Sequence, residues 1–221
     1  MRPSNNQINS IYDGLKPMTQ LNLIGFASGL TLDMAQVATD QKYDVTLFHN
    51  GPMFEEFDRP IRKLDTLDLN VASALGFVFP KSRFELFQKV EMFGKANWVK
   101  LVAQDAKISP TSQLFDGVFI NNGVVVASKA VVARHAIVNT LAGIGHHSTV
   151  SEFAFIGPGA QILGNCVIGK GSFIGAGSVI LEGKKVGDNS IVGAGSVVTK
   201  NVPSNVVVYG NPAKFVRANE I

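Results

Sequence analysis

Aliphatic residues recur at every sixth position through the second half of the chain. The run begins at Ile108 and ends at Val198, and all sixteen of its positions carry Ile, Leu or Val. A step of six matches neither the 3.6-residue period of a helix nor the two-residue alternation of an amphipathic strand. The positions are Ile108, Leu114, Ile120, Val126, Val132, Val138, Ile144, Val150, Ile156, Ile162, Ile168, Ile174, Ile180, Val186, Val192 and Val198.

A second series follows the first at a distance of four residues. It runs from Ser112 to Val202 and contains small residues or Val, with Lys184 as the exception and Cys166 as a member. Six-residue repeats are typical of a parallel β-helix, in which three short sides form a triangular coil of about 18 residues. We expect about five coils, with the aliphatic residues in the centre, the small residues at the corners and glycines relieving the turns.

The first half of the chain has a different pattern, in which strands alternate with helices. Such alternation indicates a small parallel α/β domain. Thr31 is a candidate cap for the first helix, 27–29 a tight turn, and the segment from residue 61 a linker or short helix. Apolar runs predict strands over 21–26, 43–50 and 73–80, and helical spacing predicts helices over 30–41 and 82–94.

These patterns divide the chain into four parts. Ligands of parallel α/β sheets bind at the carboxyl ends of the strands, so the loops of interest are 25–30, 49–51 and 79–81. The predicted parts are a flexible arm over 1–17, an α/β domain over 18–103, a β-helix over 104–203 and a tail over 204–221.

Composition and charge exclude several classes of protein. Hydrophobic residues make up 46% of the chain and charged residues 17%, which excludes a disordered chain. The net charge of +3 comes without a block of Lys and Arg, so no nucleic-acid partner is expected. No apolar run approaches the length of a membrane span and the first residues lack an apolar signal core, so we expect a cytoplasmic protein without membrane insertion. The single cysteine excludes a disulfide framework.

Two adjacent histidines interrupt the repeat. His146 lies two positions after the inward-facing Ile144, which places it at a turn and points it out of the coil. A neutral imidazole there can act as a general base. Eighteen residues further on is Gly164, which lacks a side chain and offers a backbone N–H to an oxyanion. His147 has three interpretations: it orients His146, binds substrate or is simply exposed.

Three segments carry a resemblance to a known family. They are "AIVNTLAGIGHHSTV", "IGPGAQILGNCVIGKGSFIGAGSVI" and "VGDNSIVGAGSVVTKNVPSNVVVYGNPAKFVR". The chain resembles the hexapeptide-repeat acyltransferases, in particular the bacterial UDP-4-amino-sugar N-acetyltransferases and the sialic acid O-acetyltransferases. This resemblance implies a Rossmann-like α/β domain followed by a left-handed β-helix, and a homotrimer with active sites between subunits.

The resemblance also implies roles for particular residues. The catalytic histidine of the family falls on His146; the acid that follows it falls on His147, and a second histidine on Phe155. Glu152 is a candidate orienting carboxylate, and Arg83 matches an arginine after the third strand. The resemblance assigns acetyl-CoA to Phe155, Gly164, Ala176, Ala194, Lys214 and Arg217, and the nucleotide sugar to Ser28, Gly29, Leu30, His49, Asn50 and Pro80.

The function that follows is transfer of an acetyl group from acetyl-CoA to the amine of a UDP-linked amino sugar in bacterial surface-glycan biosynthesis. Direct attack on the thioester suffices, and no metal is expected. An O-acetyltransferase acting on sialic acid or another sugar is the alternative within this class. Outside it, a zinc hydratase using His135, His146 and His147 and a non-catalytic scaffold stay open.

Overall fold

The first domain is a five-stranded parallel sheet flanked by two helices. The computed structural model describes residues 19–25, 29–49 and 61–220. The strand order is β3-β2-β1-β4-β5, with all neighbours parallel. The elements are β1 Thr19–Ile24, α1 Gly29–Asp40, β2 Tyr43–His49, β3 Ile61–Lys63, a 3₁₀ turn Leu64–Thr66, β4 Ala72–Leu75, α2 Pro80–Glu91 and β5 Asn97–Trp98.

The strand order reverses between β1 and β4, and this creates a crevice at their carboxyl ends. Gly25 and Gly76 end these strands, and their N–H groups donate to Phe48 O and Ile24 O. A methyl group on Gly76 would collide with the carbonyl oxygen of Gly25, so the close approach of the two chains requires glycine.

The predicted elements of this domain form, with shifted ends. The third predicted strand ends at Leu75 rather than residue 80, and α2 begins at Pro80, because proline fits the first turn of a helix. Thr31 is not a cap. It lies inside α1, fully buried, and its Oγ1 donates to Gly76 O at 3.1 Å. The segment after residue 60 forms β3 and the 3₁₀ turn, and most of the predicted turn over 27–29 lies outside the described residues.

The second domain is a parallel β-helix, as the period of six predicts, and it agrees with the left-handed winding that the resemblance implies. Its first strand, Leu101–Val102, pairs with Phe119–Ile120, so the coils begin a few residues before the expected boundary at 104. Residues 18 apart pair from Leu101 to Val198, as Val126 with Ile144. The two-residue strands are β6 Leu101–Val102, β7 Lys107–Ile108, β8 Gln113–Leu114, β9 Phe119–Ile120, β10 Val125–Val126, β11 Val131–Val132, β12 Ile137–Val138, β13 Gly143–Ile144, β14 Thr149–Val150, β15 Phe155–Ile156, β16 Gln161–Ile162, β17 Val167–Ile168, β18 Phe173–Ile174, β19 Val179–Ile180, β20 Lys185–Val186, β21 Ile191–Val192 and β22 Val197–Val198.

Both sequence series point inward. The aliphatic positions from Ile120 to Val198 are at most 1% exposed and form one continuous core with the small positions between them. Cys166 is buried in that core, as its place in the series predicts. The half-buried side chain of Lys184 at one of these positions has no explanation in its contacts.

Each corner of the coil contains a residue in the left-handed conformation. Positive φ recurs every sixth position from Gly117 to Gly195. Glycine and asparagine tolerate this conformation, yet His135, His147 and Phe153 also adopt it, with φ near 57°. We name the three corners after the residues of one coil: the first corner contains His146, the second Glu152 and the third Pro158. Residues 18 positions before or after these lie at the same corner of neighbouring coils.

The α/β domain covers the second corner of the β-helix and the sheet that contains β6, β9, β12, β15, β18 and β21, which we call the third sheet. Phe119, Ile137 and Phe155 point outward from that sheet into the core formed by α1 and the sheet of the first domain. After the last coil, β23 (Val206–Tyr209) and β24 (Lys214–Ala218) form an antiparallel pair. None of the helices in the described ranges has the length and apolar character required to cross a bilayer.

An aromatic cluster at the domain junction encloses His135. Its ring stacks on Phe153 with centroids 5.0 Å apart and meets Phe87 at 4.8 Å and Trp98 at 5.0 Å. His135 is 2% exposed, and its Nδ1 has no hydrogen-bond partner within the described part of the chain. Burial lowers the pKa of His135 from 6.5 to about 3, and the charges of Arg83 and Arg134 act in the same direction. The fold therefore holds the neutral imidazole.

We predict that this buried histidine makes the fold sensitive to acid. The pKa of His135 is lower in the folded protein than in the unfolded chain. The contribution of the neutral imidazole to the free energy of unfolding is therefore complete above pH 6.5 and is lost as the pH falls towards 3. Replacement of His135 by Phe keeps an aromatic ring at this position. The left-handed corner conformation accepts Phe, because Phe153 adopts it at the same corner one coil later. Between pH 6 and 4, the free energy of unfolding of the wild type should fall faster than that of His135→Phe by about 1.4 kcal/mol per pH unit.

Urea titration at several pH values measures this difference. His147→Asn is the matched control, since it removes an exposed histidine from an equivalent corner position and should keep the wild-type slope. Parallel curves for the wild type and His135→Phe would contradict the prediction.

Candidate active site

His146 and His147 form one exposed corner of the β-helix. The N–H of Ser148 donates to Gly145 O at 3.3 Å and the φ of His147 is 58°, which are the features of a type II turn. Ser148 is buried and points inward, so the two histidines before it point outward. This is the placement that the six-residue register predicts for His146.

The ring of His146 lies directly against Gly164, one coil further on. A methyl group built on Gly164 would come within 2.5 Å of Cε1 and 2.7 Å of Nε2 of His146. The main chains of the two coils are joined here, because Asn165 N donates to His146 O at 2.9 Å. Gly164 is therefore needed for the position of the imidazole, as the 18-residue spacing predicts.

The two histidine rings are hydrogen bonded to each other. Their Nδ1 atoms are 3.2 Å apart and their planes are nearly perpendicular, at 85°. A neutral imidazole has one N–H and one acceptor nitrogen, so one ring donates to the other. When His146 donates from Nδ1 to His147, its Nε2 has a lone pair and can accept a proton. In that tautomer the Nδ1 of His147 is the hydrogen-bond acceptor.

Glu152 does not lie beside His146 within one chain. It occupies the second corner, one side of the coil away, where its carboxylate is 3.5 Å from Lys170 Nζ. The prediction that Glu152 orients His146 therefore finds no intrachain contact. The spacing of six between the two residues is the reason, since it moves the chain from one corner to the next.

Phe155 lies inside the domain junction. It is 3% exposed and stacks on Phe173 with centroids 4.7 Å apart. Its position on the third sheet, which the α/β domain covers, leaves it no free surface for the coenzyme contact that was predicted. The sequence register places Phe155 outside the coil but does not reveal that another domain covers this side.

The three histidines of the hydratase hypothesis are not brought together. His135 lies in the aromatic cluster at the second corner, whereas His146 and His147 occupy the first. Across residues 19–25, 29–49 and 61–220, His, Cys, Asp and Glu side chains form no group of three or more that could hold a metal ion.

The third corner presents main chain to the surface. Ala176 and Ala194 are exposed there, and their N–H groups meet no acceptor among the described residues. The glycines beside them, Gly177 and Gly195, have open space where a side chain would be. The predicted coenzyme contacts of Ala176 and Ala194 therefore lie on an accessible edge. Lys214 and Arg217 are also exposed, on β24, and Arg217 donates to Ala218 O at 2.9 Å.

The predicted nucleotide residues within the described ranges lie at the carboxyl end of the first sheet. Gly29 begins α1 and His49 ends β2. The side chain of Leu30 is buried in the core, which leaves its backbone for a ligand. Ser28 and Asn50 lie outside the described residues.

A cavity of about 640 Å³ separates α2 from the β-helix. Pro80, one of the predicted substrate residues, lines it together with Phe79 and Lys81. Phe173 and Lys170 form part of the opposite wall, and the ring of Phe79 stacks on Phe173 at 6.0 Å. The sequence identifies the Phe79–Lys81 side of this cavity but not the β-helix side, because that side depends on how the domains pack.

Models of two repeat families match the β-helix. The bacterial transferase hexapeptide model matches residues 147–182, and the hexapeptide repeat of succinyl-transferase matches residues 166–200. The first match begins at His147 and includes Gly164.

Solved structures share the two-domain architecture. The acetyltransferase domain of PglB from Neisseria gonorrhoeae, in complex with acetyl coenzyme A, is 26% identical, with 90% of this chain and 100% of that chain covered and a TM-score of 0.82. A mutant of perosamine N-acetyltransferase from Caulobacter crescentus, in complex with CoA and GDP-perosamine, is 23% identical, with 89% and 96% covered and a TM-score of 0.82. WeeI from Acinetobacter baumannii is 21% identical, with 90% and 100% covered and a TM-score of 0.80.

The second and third of these likenesses concern the fold alone, whereas the match to the PglB domain also includes about a quarter of the residues. Together with the repeat models, they confirm the resemblance that the sequence motifs indicate. The chain combines the hexapeptide repeats of bacterial transferases with the two-domain fold seen in sugar N-acetyltransferase structures.

Proposed function

We propose that the protein transfers the acetyl group of acetyl-CoA to the amine of a nucleotide-linked amino sugar. The observation that carries the proposal is the His146 corner, where an exposed imidazole rests on Gly164 and has a hydrogen-bonded neighbour at Nδ1. The similar PglB domain holds acetyl coenzyme A and the similar perosamine N-acetyltransferase holds CoA with GDP-perosamine, which supports this substrate class.

The reaction requires one base and one oxyanion donor. The sugar amine attacks the thioester carbon while Nε2 of His146 takes a proton from the amine. The carbonyl oxygen becomes an oxyanion, to which the N–H of Gly164 donates. The tetrahedral intermediate then expels the coenzyme thiolate, which takes the proton from the imidazolium. The products are the N-acetyl sugar and free coenzyme A, and no covalent enzyme intermediate forms.

His147 acts as the positioning residue of this base. It accepts the Nδ1 hydrogen of His146, which holds the lone pair at Nε2 and fixes the ring plane. A neutral imidazole stabilises the resulting imidazolium less than a carboxylate does, because it contributes a dipole rather than a charge.

The nucleotide binds at the carboxyl edge of the first sheet in this proposal. The diphosphate lies at the N-terminus of α1, near Ser28, Gly29 and the backbone of Leu30, where unpaired N–H groups favour anions. His49, the last residue of β2, lies at the same edge and Asn50 is the next residue in the sequence. Pro80 borders the cavity that leads to the β-helix. The sequence motifs favour a UDP sugar, whereas the ligand of the perosamine N-acetyltransferase structure is a GDP sugar.

The coenzyme binds along the third corner. Its pantetheine arm accepts hydrogen bonds from the N–H groups of Ala176 and Ala194, and Lys214 and Arg217 meet its phosphates. His146 lies at the first corner, and one side of the coil separates the two corners. A second copy of the chain must therefore supply one half of each site, which a homotrimer with sites between subunits achieves.

The first prediction concerns the base. His146→Ala should lower kcat for acetyl transfer by about 100-fold or more, since general base catalysis contributes about 10²–10⁴. Ser128→Ala, at the equivalent corner position one coil earlier, is the control and should keep kcat within about twofold. The rate is measured as release of free thiol from acetyl-CoA. A decrease in kcat of less than about tenfold for His146→Ala would show that His146 is not the general base.

A panel of acceptor substrates in this assay identifies the molecule that receives the acetyl group. The panel contains UDP-linked and GDP-linked amino sugars, their hydroxyl analogues and free sialic acid. Turnover of an amino sugar with either nucleotide supports the proposal. Turnover of sialic acid alone would indicate an O-acetyltransferase, and absence of both turnover and coenzyme A binding would contradict the proposal.

Mixed oligomers test whether two chains share a site. Ala176→Arg should block the coenzyme edge without unfolding the coil, because Arg134 and Lys170 occupy equivalent corner positions. Each variant alone, Ala176→Arg or His146→Ala, should be nearly inactive. Coexpression of the two should restore about a quarter of the wild-type activity, since a quarter of the interfaces then pair an intact His146 with an intact Ala176. No recovery would mean that one chain supplies both halves.

The pair of variants His147→Phe and His147→Asp tests the acceptor at Nδ1. Phe keeps an aromatic ring at this corner conformation but removes the acceptor, so kcat should fall by about 10- to 100-fold. Asp provides a charged acceptor, so it should retain activity and shift the acid limb of the pH profile of kcat. A packing role would instead make Phe the milder change and leave the pH profile unmoved.

A further inference from the structure

Arg83 is a buried arginine that connects the two domains. It lies in the first turn of α2 and is 1% exposed. Its Nη1 donates to Phe77 O and Val78 O, both at 2.8 Å, in the segment that joins β4 to α2. Within the described ranges no carboxylate pairs with it, and burial lowers the pKa of Arg83 to about 9.

The other edge of the planar guanidinium, formed by Nε and Nη2, donates hydrogen bonds to the second corner of the β-helix. Its Nε donates to His135 O at 3.1 Å, and Nη2 donates to Phe153 O and to Ala154 O, the latter at 3.2 Å. His135 and Phe153 are 18 residues apart, so the guanidinium spans two successive coils. With the two bonds to the loop, all five N–H donors of the side chain are used.

This geometry is specific to arginine. Five carbonyl oxygens surround a planar fork with five fixed donors, whereas a lysine ammonium has three donors on a flexible stem. A buried charge without a countercharge is unfavourable unless polar groups replace its hydration, and here backbone dipoles do so. The arrangement therefore sets the distance between the loop 77–78 and the β-helix.

The loop held by Arg83 belongs to the edge of the first sheet at which the nucleotide is proposed to bind. It continues into Phe79 and Pro80, which line the cavity between the domains. It begins at Gly76, whose carbonyl oxygen accepts the hydroxyl of Thr31 in the first turn of α1. One side chain thus joins the β-helix to the loop beside the start of α1.

We propose that Arg83 is a positioning residue for the sugar nucleotide. It holds the nucleotide-binding edge of the α/β domain at a fixed position on the β-helix, so that the sugar amine reaches the catalytic corner. The inference rests on the proposed function. Replacement of Arg83 should weaken use of the sugar nucleotide and leave the coenzyme site, at the far corner, intact.

The experiment compares Arg83→Lys with Arg134→Lys. Arg134 is an exposed arginine at the same corner, so the control makes the same chemical change without disturbing the buried network. For Arg83→Lys, KM for the sugar nucleotide should rise about tenfold or more while the Kd of coenzyme A stays within about twofold. Arg134→Lys should change neither.

A second readout is independent of activity. Trp98 is the only tryptophan of the chain and contacts Phe87 and His135 at the junction. Its fluorescence should become more accessible to acrylamide in Arg83→Lys and remain unchanged in Arg134→Lys. If the wild type lacks transferase activity, the proposed function fails, whereas the fluorescence still reports whether Arg83 sets the junction.

Several outcomes would overturn the proposal. One is an unchanged KM for the sugar nucleotide in Arg83→Lys. Another is an increase in the Kd of coenzyme A as large as the increase in KM for the sugar nucleotide. If Arg83→Lys does not fold, as judged by circular dichroism and gel filtration, Arg83→Gln takes its place, because a neutral amide is less unfavourable in a buried site. Failure of both variants to fold would assign Arg83 to folding rather than positioning and would also contradict the proposal.

Discussion

The 18-residue register between coils determines the rest of this structure. Each coil places an aliphatic side chain over one from the preceding coil, as Ile144 over Val126, and hydrogen bonds join the backbones. A shift by one residue would turn the inward series outward, so the register is fixed by burial. The register also fixes the corners, and therefore puts Gly164 directly against the ring of His146. The catalytic geometry that we propose is a consequence of the packing of the core.

The second constraint is the junction between the domains. A β-helix alone presents repetitive sides, and nothing in its period distinguishes one side from another. The α/β domain breaks this symmetry by covering the third sheet and the second corner, where Phe155 and His135 become buried. Arg83 supports this arrangement through backbone carbonyl groups only, so the junction depends on main-chain positions rather than on a pair of opposite charges.

The period explains what sequence reasoning could and could not find. It predicts the inward and outward positions, and with them the exposed His146, the buried Cys166 and the proximity of Gly164. It cannot show which outward residues another domain covers, so it does not reveal that Phe155 lies in the core at the domain junction. The period also does not show how far Glu152 lies from His146, because that depends on which corner each residue occupies. Nor does it identify the carbonyl partners of Arg83 on the β-helix, which lie more than 50 residues away along the chain.

The conformation of His147 is unusual for its residue type, although Lys129 and Leu141 adopt it at exposed corners too. Left-handed residues other than glycine are unfavourable by about 1 kcal/mol or more, and asparagine is the usual exception. Asn165, the residue one coil later, follows this preference. His135 and Phe153 offset the strain by packing in the aromatic cluster, but His147 is exposed and its side chain contacts the ring of His146. Local backbone preference therefore does not select histidine at this corner, whereas the function that we propose requires an acceptor at Nδ1 of His146. The turn conformation points two successive side chains outward, and this allows adjacent histidines to act as a pair.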